Sequence, residues 1–585
     1  MSIEKKLFRI LLPSQILSSL AMAVCMQIDN IMIGRFIGVT ALSAYGLVTP
    51  MLFILTAVVG LLSSGITAIS ARLAGKNDKK GINLNYTSSI VLCFILSLVI
   101  TTLLLIFASS AAAFLGADQE QGTLAFAADY ITGYAVGLPF YFFMQALMTY
   151  LQISGKRKRV CISIIAMMTA DIVCDVLAGI FGFGMFGMSL ASSISEAAAF
   201  FIIVGYFLKR GSEYKLAVKD ISFKEMLNVI KTGLPMAINQ ACFTALVFIV
   251  NKLLLKYGGT NAVAAYSVIS SVSTFCFILS NGVGGATRIL AGVFYGEEDK
   301  KALRETLEIA IKYVLIMTAA AAVLVAVFSG SIAVLFMGDD KEAAAAASAG
   351  LRWYIASIIP CGLTVVYKNL YQGEGHINMA NVITAIENLA APALAILLLS
   401  EIFGLVGIWC GFFVGEIVAA LFYLIVARVK NNKLSLESCL LLPKDFGVSD
   451  DRILDLLIRK KDDVSECSQK AGDFCRTFSE DRSTCYYISL CVEEMAMETI
   501  LNTTFSPEKN SIFIRLVCRD DMWVLRICDD GELYDAANYA KLSEAEDELK
   551  HLGVRMIFRL VQDAKYMNRL GFNTLTLFLG QHRAS

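Results

Sequence analysis

The chain contains twelve apolar segments, each long enough to cross a lipid bilayer, and this series limits its fold more than any other feature. A membrane-spanning helix needs about 20 predominantly apolar residues. Hydrophobic residues make up 57% of the chain. The pattern therefore predicts an all-α polytopic membrane domain with twelve transmembrane helices. The segments lie at about 8–34, 45–70, 86–114, 127–150, 160–181, 187–208, 228–255, 262–289, 308–337, 350–372, 378–400 and 404–428.

Lysine and arginine residues crowd alternate connections between the segments, at 72–80, 156–159, 209–219 and 300–304. Positively charged loops stay on the cytoplasmic side of a membrane. With an even number of spans, both termini are predicted to be cytoplasmic, in a multi-pass protein of the plasma or inner membrane. The apolar composition predicts a lipid bilayer as partner. The formal net charge is zero, so bulk charge implies no nucleic-acid partner.

Two sets of six segments repeat at a near-constant offset. GKNDKK at 75–80 recurs as GEEDKK at 296–301, an offset of 221. Pro139 recurs as Pro360, again 221 residues later. Because each half has an even number of segments, both halves have the same orientation in the membrane. The sequence thus predicts two parallel six-helix repeats, an arrangement typical of alternating-access transporters with a site between the lobes.

These features divide the chain into three predicted parts. Residues 1–215 form the first lobe (the N-lobe), and residues 216–432 form the second (the C-lobe). Beyond about Val429 the charge density rises and no apolar run approaches the length of a membrane span. Residues 433–585 are therefore predicted to form a cytoplasmic domain.

Carboxylates inside apolar segments are the strongest functional signal in the membrane part. Asp29 lies well inside the first apolar run, and Asp171 and Asp175 are four residues apart on one face of the fifth segment. A carboxylate in hydrocarbon costs ~2.5–3.5 kcal/mol on insertion scales, so it should face a protein interior or a wet cavity. The repeat aligns Asp29 with Asn251 and the other two with alanines. This asymmetry predicts a site that takes up a proton or a small cation.

Other polar residues inside the segments allow more than one interpretation. Gln15 and Asn251 are predicted to line a substrate cavity, and Glu387 is a further candidate for a substrate contact. Glu196 and Glu416 correspond in the two repeats, which favours a structural role for both. Few lysines or arginines lie inside the segments, so a strongly basic cavity is not expected.

The run IDNIMIGRFIGVTALSAYGL at 28–47 resembles the first-span signature of the multidrug and toxic compound extrusion (MATE) family. GLPFYFFMQALMTYLQISGKRKR and TADIVCDVLAGIFGFGMFGMSLASS are similar to the family's fourth and fifth spans. The resemblance covers about residues 5–430. In the family's DinF-like branch, aspartates in spans one and five couple Na⁺ or H⁺ to drug export, and these map onto Asp29 and Asp175. Asp171 departs from the pattern, which usually has Asn there.

The pattern of residues 433–585 predicts an α/β sandwich. A strand is predicted at 433–442, followed by an amphipathic helix at 451–477. The alternating runs SIFIRLVC and WVLRICDDG predict a hairpin. A helix around HLGVRMIFRLVQD and a strand NTLTLFL complete the prediction.

Three pieces of this domain could form a nucleotide site. Glu498 and Asn502 are four residues apart on a predicted helix, and Asp529 begins an Asp-Asp-Gly sequence that ends in Gly531. Gly553 opens the final helix, where an N-terminus could receive phosphate. Their order and spacing resemble the ATP-binding domain of the gyrase, chaperone and histidine-kinase superfamily, most closely the anti-sigma-factor serine kinases.

That resemblance implies ATP and Mg²⁺ as ligands. In the superfamily the Asn ligates Mg²⁺, the preceding Glu is the general base and the Asp reads the adenine amino group, roles that fall on Asn502, Glu498 and Asp529. A single glycine, Gly553, stands where the branch usually has two or more. This departure weakens the case for catalysis more than the case for binding, and a degenerate domain that no longer binds nucleotide is an alternative.

The sequence therefore predicts a cation-coupled antiporter, using Na⁺ or H⁺, that exports small organic compounds. The chain has no GxxxxGK[ST] motif, so an ion gradient and not ATP is expected to drive transport. The cytosolic domain would bind ATP or a regulatory protein. Two alternatives remain: a lipid-linked precursor flippase of the same superfamily, or a membrane sensor whose cytosolic domain is a serine kinase.

Overall fold

Twelve long helices form the larger part of the computed structural model, which describes residues 2–120, 122–209, 213–337, 341–431, 439–443, 445–502, 510–519, 522–532, 534–535 and 552–580. All twelve are long and apolar enough to cross a membrane, which confirms the predicted number of spans within the described residues. In chain order they are α1 Ile3–Phe36, α2 Val39–Gly75, α3 Lys79–Phe114, α4 Thr123–Ile153, α5 Arg157–Phe181, α6 Gly184–Phe207, α7 Phe223–Gly259, α8 Ala262–Gly296, α9 Lys300–Phe336, α10 Ala344–Glu374, α11 Ile377–Phe403 and α12 Leu405–Val426.

Local sequence signals set the ends of these helices. Asp78 precedes α3 and accepts a hydrogen bond from the Gly81 backbone N–H at 2.9 Å, which satisfies one of the free donors of the first turn. Gly375 follows α10 in a left-handed conformation, with φ of +92°, as is common after a helix C-terminus. Gly259 separates α7 from α8 with φ of +63°.

The two lobes touch closely where α2 crosses α8. Gly75 ends α2 and Gly296 ends α8, and the repeat aligns these two glycines. A Cβ atom on Gly75 would collide with the backbone oxygen of Val293, and one on Gly296 would collide with that of Arg72. Only glycine therefore allows the two backbones to approach this closely. The contact closes the bundle at the end where α2 finishes.

A five-stranded antiparallel sheet forms the centre of the C-terminal part, with strand order β1-β2-β3-β5-β4. Helices α13 and α14 pack on one face of the sheet, around the fully buried Trp523. The strands are β1 Ile453–Ile458, β2 Ile512–Cys518, β3 Met522–Asp529, β4 Asp563–Arg569 and β5 Phe572–Gly580; the helices are α13 Asp463–Phe478, α14 Arg482–Asn502 and α15 Leu552–Leu560.

The start of this part differs from the sequence prediction. The amphipathic helix expected at 451–477 begins only at Asp463, because Ile453–Ile458 forms strand β1 and pairs with β2. The run ILDLLI has too many β-branched and apolar residues in sequence to show helical periodicity clearly. Most of the strand expected at 433–442 lies outside the described residues. The hairpin of β2 and β3 is present as predicted, while the assignment to an α/β sandwich stays a prediction.

The other face of the sheet packs against the closed end of the helical bundle, which we call the domain end. Arg515 of β2 pairs with Glu4 of α1 at 3.1 Å, with Asp299 before α9, and with Asp455 of β1 at 2.5 Å. Burial alone would raise the pKa of Asp455, but Arg515 and Lys301 together hold that pKa below its ordinary value. The docked face is therefore held by buried, charge-assisted contacts.

The turn between β4 and β5 reaches the junction of the two lobes. Leu570 and Gly571 have φ of +53° and +83°, as both central residues of a type I′ hairpin turn require. The Leu570 backbone N–H donates to the carbonyl oxygen of Ile153, the last residue of α4, at 2.6 Å. Arg569 pairs with Glu297, just beyond α8. This one turn thus contacts both lobes.

Candidate functional site

The first candidate site is a cluster of three carboxylates inside the N-lobe. Asp29 of α1 meets Asp171 and Asp175 of α5, and one oxygen of each lies within 4.8 Å of the others. Asp171 and Asp175 are each only 1% exposed. The Ser195 hydroxyl on α6 donates to Asp171 Oδ1 at 3.0 Å. The helical spacing of the two α5 residues and the face of α1 that carries Asp29 explain this convergence.

The cluster leaves much of its hydrogen-bonding capacity unused. Asp171 Oδ2, both oxygens of Asp175 and Asp29 Oδ1 are buried and accept no hydrogen bond from the residues that the structure describes. Like charges this close repel strongly in a medium of low dielectric constant. Protonation of the carboxylates or a bound cation would remove that repulsion. Carboxylate oxygens can take up protons, and three of them together can coordinate a small cation.

A cavity of about 120 Å³ opens onto this cluster, and we call it the acidic cavity. Tyrosines and methionines form much of its wall, together with Asp29, Asp171 and Glu196. No lysine or arginine is among its described lining residues. Glu196, interpreted as structural from the sequence, thus also faces this cavity.

A second cavity, of about 260 Å³, lies between the lobes near the domain end. We call it the inter-lobe cavity. Gln15 lines it, as the sequence predicted, but its two charged lining residues are Arg288 of α8 and Lys368 of α10. Sequence reasoning missed both, because single cations in long apolar segments were counted as too few to make a basic cavity. Its lining residues are Gln15, Ser19, Gly60, Ser63, Ser64, Pro235, Met236, Asn239, Asn281, Gly285, Arg288, Lys368, Asn369, Gln372 and Thr384.

Glu387 lies directly behind Lys368. It is 2% exposed and sits in a π-helical turn of α11 at Ile386–Ala390. Lys368 Nζ donates to Glu387 Oε2 at 2.9 Å and to Asn239 Oδ1 at 3.1 Å. The carboxylates of Glu387 and Glu416 and the Cys361 thiol also lie within 4.8 Å of one another. Buried acids are therefore present in the C-lobe as well as in the N-lobe.

Asn251 lies in α7, half-buried, and is not among the lining residues of either cavity. The repeat that aligns it with Asp29 thus brings it to an equivalent place in the C-lobe but not to the inter-lobe cavity. Glu387 reaches that cavity only through Lys368.

In the C-terminal domain, the structure brings together part of the predicted nucleotide site. Asp529 ends β3, and its Oδ1 accepts from the Gly531 backbone N–H and from Asn573 Nδ2, both at 3.0 Å. Glu498 of α14 accepts a hydrogen bond from the Tyr534 hydroxyl at 2.5 Å. Asn502 ends α14, but its side chain lies outside the described residues. Gly553 is in the first turn of α15.

The residues predicted to form the nucleotide site differ in how far their polar groups are already engaged. Burial raises the pKa of Asp529 to about 6, partly offset by the Asn573 hydrogen bond, and an amino group that donates to this carboxylate would favour its ionised form. The carboxylate of Glu498, by contrast, is already engaged by Tyr534. A Cβ atom on Gly553 would meet the carboxylate of Glu494, so a larger residue here would require that side chain to move.

Twelve membrane-spanning helices, two lobes and a cavity between them define a multi-pass membrane transporter. The sequence model of the MatE family matches residues 15–177 and 235–422. The chain belongs to this family, and the resemblance found in the first, fourth and fifth spans is confirmed.

Known relatives agree with this assignment over the membrane part. The probable multidrug resistance protein YoeA of Bacillus subtilis is 23% identical over 409 residues, which are 68% of this chain and 88% of that protein. The multidrug export protein MepA of Staphylococcus haemolyticus is 26% identical over 411 residues, with the same coverage of both chains.

Solved structures have the same fold. A crystal structure of a MATE protein in complex with MaL6 matches with a TM-score of 0.69 and 22% identity, over 75% of this chain and 98% of that one. An outward-facing multidrug resistance MATE transporter matches with the same TM-score and identity, over 75% and 97%.

Proposed function

We propose that the protein is a multidrug efflux antiporter of the DinF-like type, driven by a gradient of Na⁺ or H⁺. The observation that carries this proposal is the group of four buried, unpartnered oxygens on Asp29, Asp171 and Asp175. A cation bound there would cancel the repulsion and draw α1 and α5 together, and its release would loosen them. Binding that favours one arrangement of the helices is what couples an ion to a transport cycle.

The drug substrate and the membrane orientation belong to the same proposal. The curated relatives YoeA and MepA are described as multidrug resistance and export proteins, which supports export of small organic compounds. Both termini and the C-terminal domain are cytoplasmic, in agreement with the positively charged loops. The α2–α8 contact then closes the cytoplasmic end.

Uptake of dye into inverted membrane vesicles tests the coupling. A fluorescent dye should accumulate without ATP when a cation gradient is imposed, and an ionophore should abolish that accumulation. Asp29→Asn should lose it, because the cluster loses the α1 carboxylate that meets the two acids of α5. Asp129→Asn, which removes an exposed carboxylate from the same lobe, is the matched control. Transport that needs ATP and survives the ionophore would contradict the proposal, as would normal transport by Asp29→Asn.

We also propose that the C-terminal domain binds ATP with Mg²⁺ and regulates transport, alone or through a cytosolic protein. Asp529 would hold the adenine amino group, Asn502 the Mg²⁺ ion, and the backbone around Gly531 and Gly553 the ring and phosphates, with Glu498 as the candidate base. Bound Mg-ATP would add negative charge beside α14 and α15. The support for regulation is the turn at Leu570, which contacts both lobes where they would have to part.

Binding of a fluorescent ATP analogue to the full chain tests this second proposal. Asp529→Ala should weaken binding at least tenfold, because a charge-assisted hydrogen bond in a buried site contributes about 1.5–3 kcal/mol. Asp563→Asn, an exposed acid on β4, should leave binding unchanged. ATP should alter the rate of dye transport by wild type and not by Asp529→Ala. Equal affinity of wild type and Asp529→Ala for the ATP analogue would refute the assignment of the site.

A further inference from the structure

We propose that the inter-lobe cavity binds the anionic group of an amphiphilic organic molecule, with Arg288 as its principal contact. This inference rests on the proposed efflux function only in taking the cavity to be on the transport path. The substrate class that it assigns is an apolar body joined to a carboxylate, sulfonate or phosphate. The sequence had not led us to expect a strongly basic cavity at this site.

The guanidinium of Arg288 lacks an anionic partner within the described chain. Its Nη1 donates only to neutral amide oxygens, of Asn369 at 3.2 Å and Gln372 at 3.4 Å. Its Nε is buried and has no hydrogen-bond partner among the described residues. A cation inside a membrane-spanning helix is costly and normally faces a partner or a water-filled path. Arg288 therefore places N–H groups that have no anionic partner in the described chain next to the inter-lobe cavity.

The remainder of the cavity wall has the same polarity. Lys368 is the second charged residue, and no aspartate or glutamate is among the described lining residues. The amides of Gln15, Asn239 and Asn281 add hydrogen-bond donors, and one of them, Gln15 Nε2, is buried with no partner in the described chain. The guanidinium of Arg288, the ammonium group of Lys368 and the unpaired amide of Gln15 surround one space, an arrangement suited to an anion. Arg can bind carboxylate, sulfonate or phosphate with two parallel hydrogen bonds.

The internal repeat provides a reference for what the fold itself needs. At an offset of 221, Arg288 corresponds to Thr67, and at 220 Asn369 corresponds to Thr149. The structure pairs these residues in the same way: Thr67 Oγ1 and Thr149 Oγ1 are 3.3 Å apart between α2 and α4, where Arg288 meets Asn369 between α8 and α10. The helix pair thus packs well with two neutral hydroxyls, so packing does not require the guanidinium.

The same comparison applies to the second cation. Lys368 and Glu387 correspond, at an offset of 220, to Met148 and Met167. An apolar pair in the N-lobe is thus an ion pair in the C-lobe, with its ammonium group turned toward the inter-lobe cavity. An anion beside Lys368 would share that ammonium with Glu387 and Asn239.

The volume of the cavity sets the size of what enters it. About 260 Å³ holds a charged head group and a small ring, below the ~300–1,000 Å³ of sites that enclose whole drug-sized ligands. Pro235 and Met236 supply an apolar patch beside the two cations. The apolar body of the ligand therefore extends along the lobe interface while its anionic group stays at Arg288.

Binding to the purified full chain in neutral detergent tests the proposal without any ion gradient. The probes are pyrenebutanoate and a pyrenylbutyl-trimethylammonium ion, which share an apolar body and differ in charge. Wild type should bind the carboxylate at least tenfold more tightly than the ammonium probe. Arg288→Gln should weaken carboxylate binding about tenfold or more, because a hydrogen-bonded charge pair is lost, and leave the ammonium probe unaffected. Lys312→Gln, which removes an exposed cation of α9 in the same lobe, should change neither.

Two further measurements keep the test decisive. If Arg288→Gln does not fold, Arg288→Lys keeps the charge but loses the two-pronged geometry and should weaken carboxylate binding several-fold. Phosphatidylglycerol added to the micelles distinguishes the source of the anion: competition that depends on Arg288 assigns the site to a lipid head group, and lack of competition assigns it to a soluble organic anion. Preference of wild type for the ammonium probe, or unchanged carboxylate binding in both Arg288 variants, would overturn the proposal. Neither result bears on cation coupling at Asp29.

Discussion

Two cavities of the membrane domain are lined by charges of opposite sign. The acidic cavity has Asp29, Asp171 and Glu196 in its wall, and the inter-lobe cavity has Arg288 and Lys368. The acidic cavity lies among helices of the N-lobe and the inter-lobe cavity between helices of both lobes. Residues of each have uncharged counterparts in the other repeat, since Asp171 corresponds to Ala391 and Arg288 to Thr67. The difference teaches that the framework tolerates buried charge without depending on it. Where charges differ between equivalent positions, we therefore attribute them to function.

The largest loss of transport is expected when two acids of the N-lobe cluster are replaced by the residues at the equivalent positions of the C-lobe. Asp171 and Asp175 correspond to Ala391 and Ala395. The double variant Asp171→Ala and Asp175→Ala should reduce dye efflux to the background of cells without the protein. Its thermal stability in detergent should equal or exceed that of wild type, because two mutually repelling buried acids are gone. Residual cation-driven efflux would show that the acids at positions 171 and 175, which the C-lobe lacks, are not needed for coupling.

The next effect concerns the ion pair of the C-lobe. Lys368→Met alone leaves Glu387 buried without its cation and should lower the free energy of unfolding by about 3–5 kcal/mol. The double variant Lys368→Met and Glu387→Met copies the N-lobe pair and should unfold with a free energy within about 1 kcal/mol of wild type, or higher. Denaturant unfolding of all three proteins measures this. Additive losses in the double variant would mean that the C-lobe, unlike the N-lobe, needs the pair for packing.

A buried acid of the soluble domain provides a comparison outside the membrane. The pKa of Asp529 is raised to about 6 in the folded protein, against about 3.9 when unfolded. Between these values the folded state binds more protons, so the contribution of Asp529 to stability is present below about pH 4 and is lost as the pH rises to 6. The loss is about 3 kcal/mol by linkage.

Asp529→Asn removes this dependence. The stability of the variant relative to wild type should rise between pH 4 and pH 6 and stay constant above it. Trp353→Phe and Trp409→Phe leave Trp523 as the single tryptophan of the chain. Fluorescence during unfolding of the full chain in that background reports on this domain. A relative stability that does not change with pH would show that Asp529 ionises normally in the folded state.

The smallest effect is expected at Thr67, the N-lobe counterpart of Arg288. Thr67→Val removes two neutral hydrogen bonds, to Thr149 and to the carbonyl oxygen of Ser63, and should cost about 1–2 kcal/mol. Binding of the carboxylate probe should stay as in wild type, since Thr67 is not among the residues that line the inter-lobe cavity. A loss of carboxylate binding comparable to that of Arg288→Gln would mean that both variants act through lobe packing and not through charge.

The sequence was most informative where a residue's neighbours are set by helical periodicity. The twelve spans followed from apolar run length, and the meeting of Asp171 with Asp175 followed from their spacing of four. Arg288 and Lys368 were overlooked because their partners lie on other helices, and a count of cations per segment does not reveal which ones converge. Strand β1 was missed because its partner β2 lies more than fifty residues further along the chain.

The contact between Leu570 and Ile153 has a consequence for the order in which the protein is assembled. Leu570 is synthesised after all twelve spans, and domains form from the N-terminus onward during translation. The backbone hydrogen bond to the end of α4 can therefore form only once both lobes are already in the bilayer. The β4–β5 hairpin therefore completes the junction between the lobes last, after both lobes have been inserted.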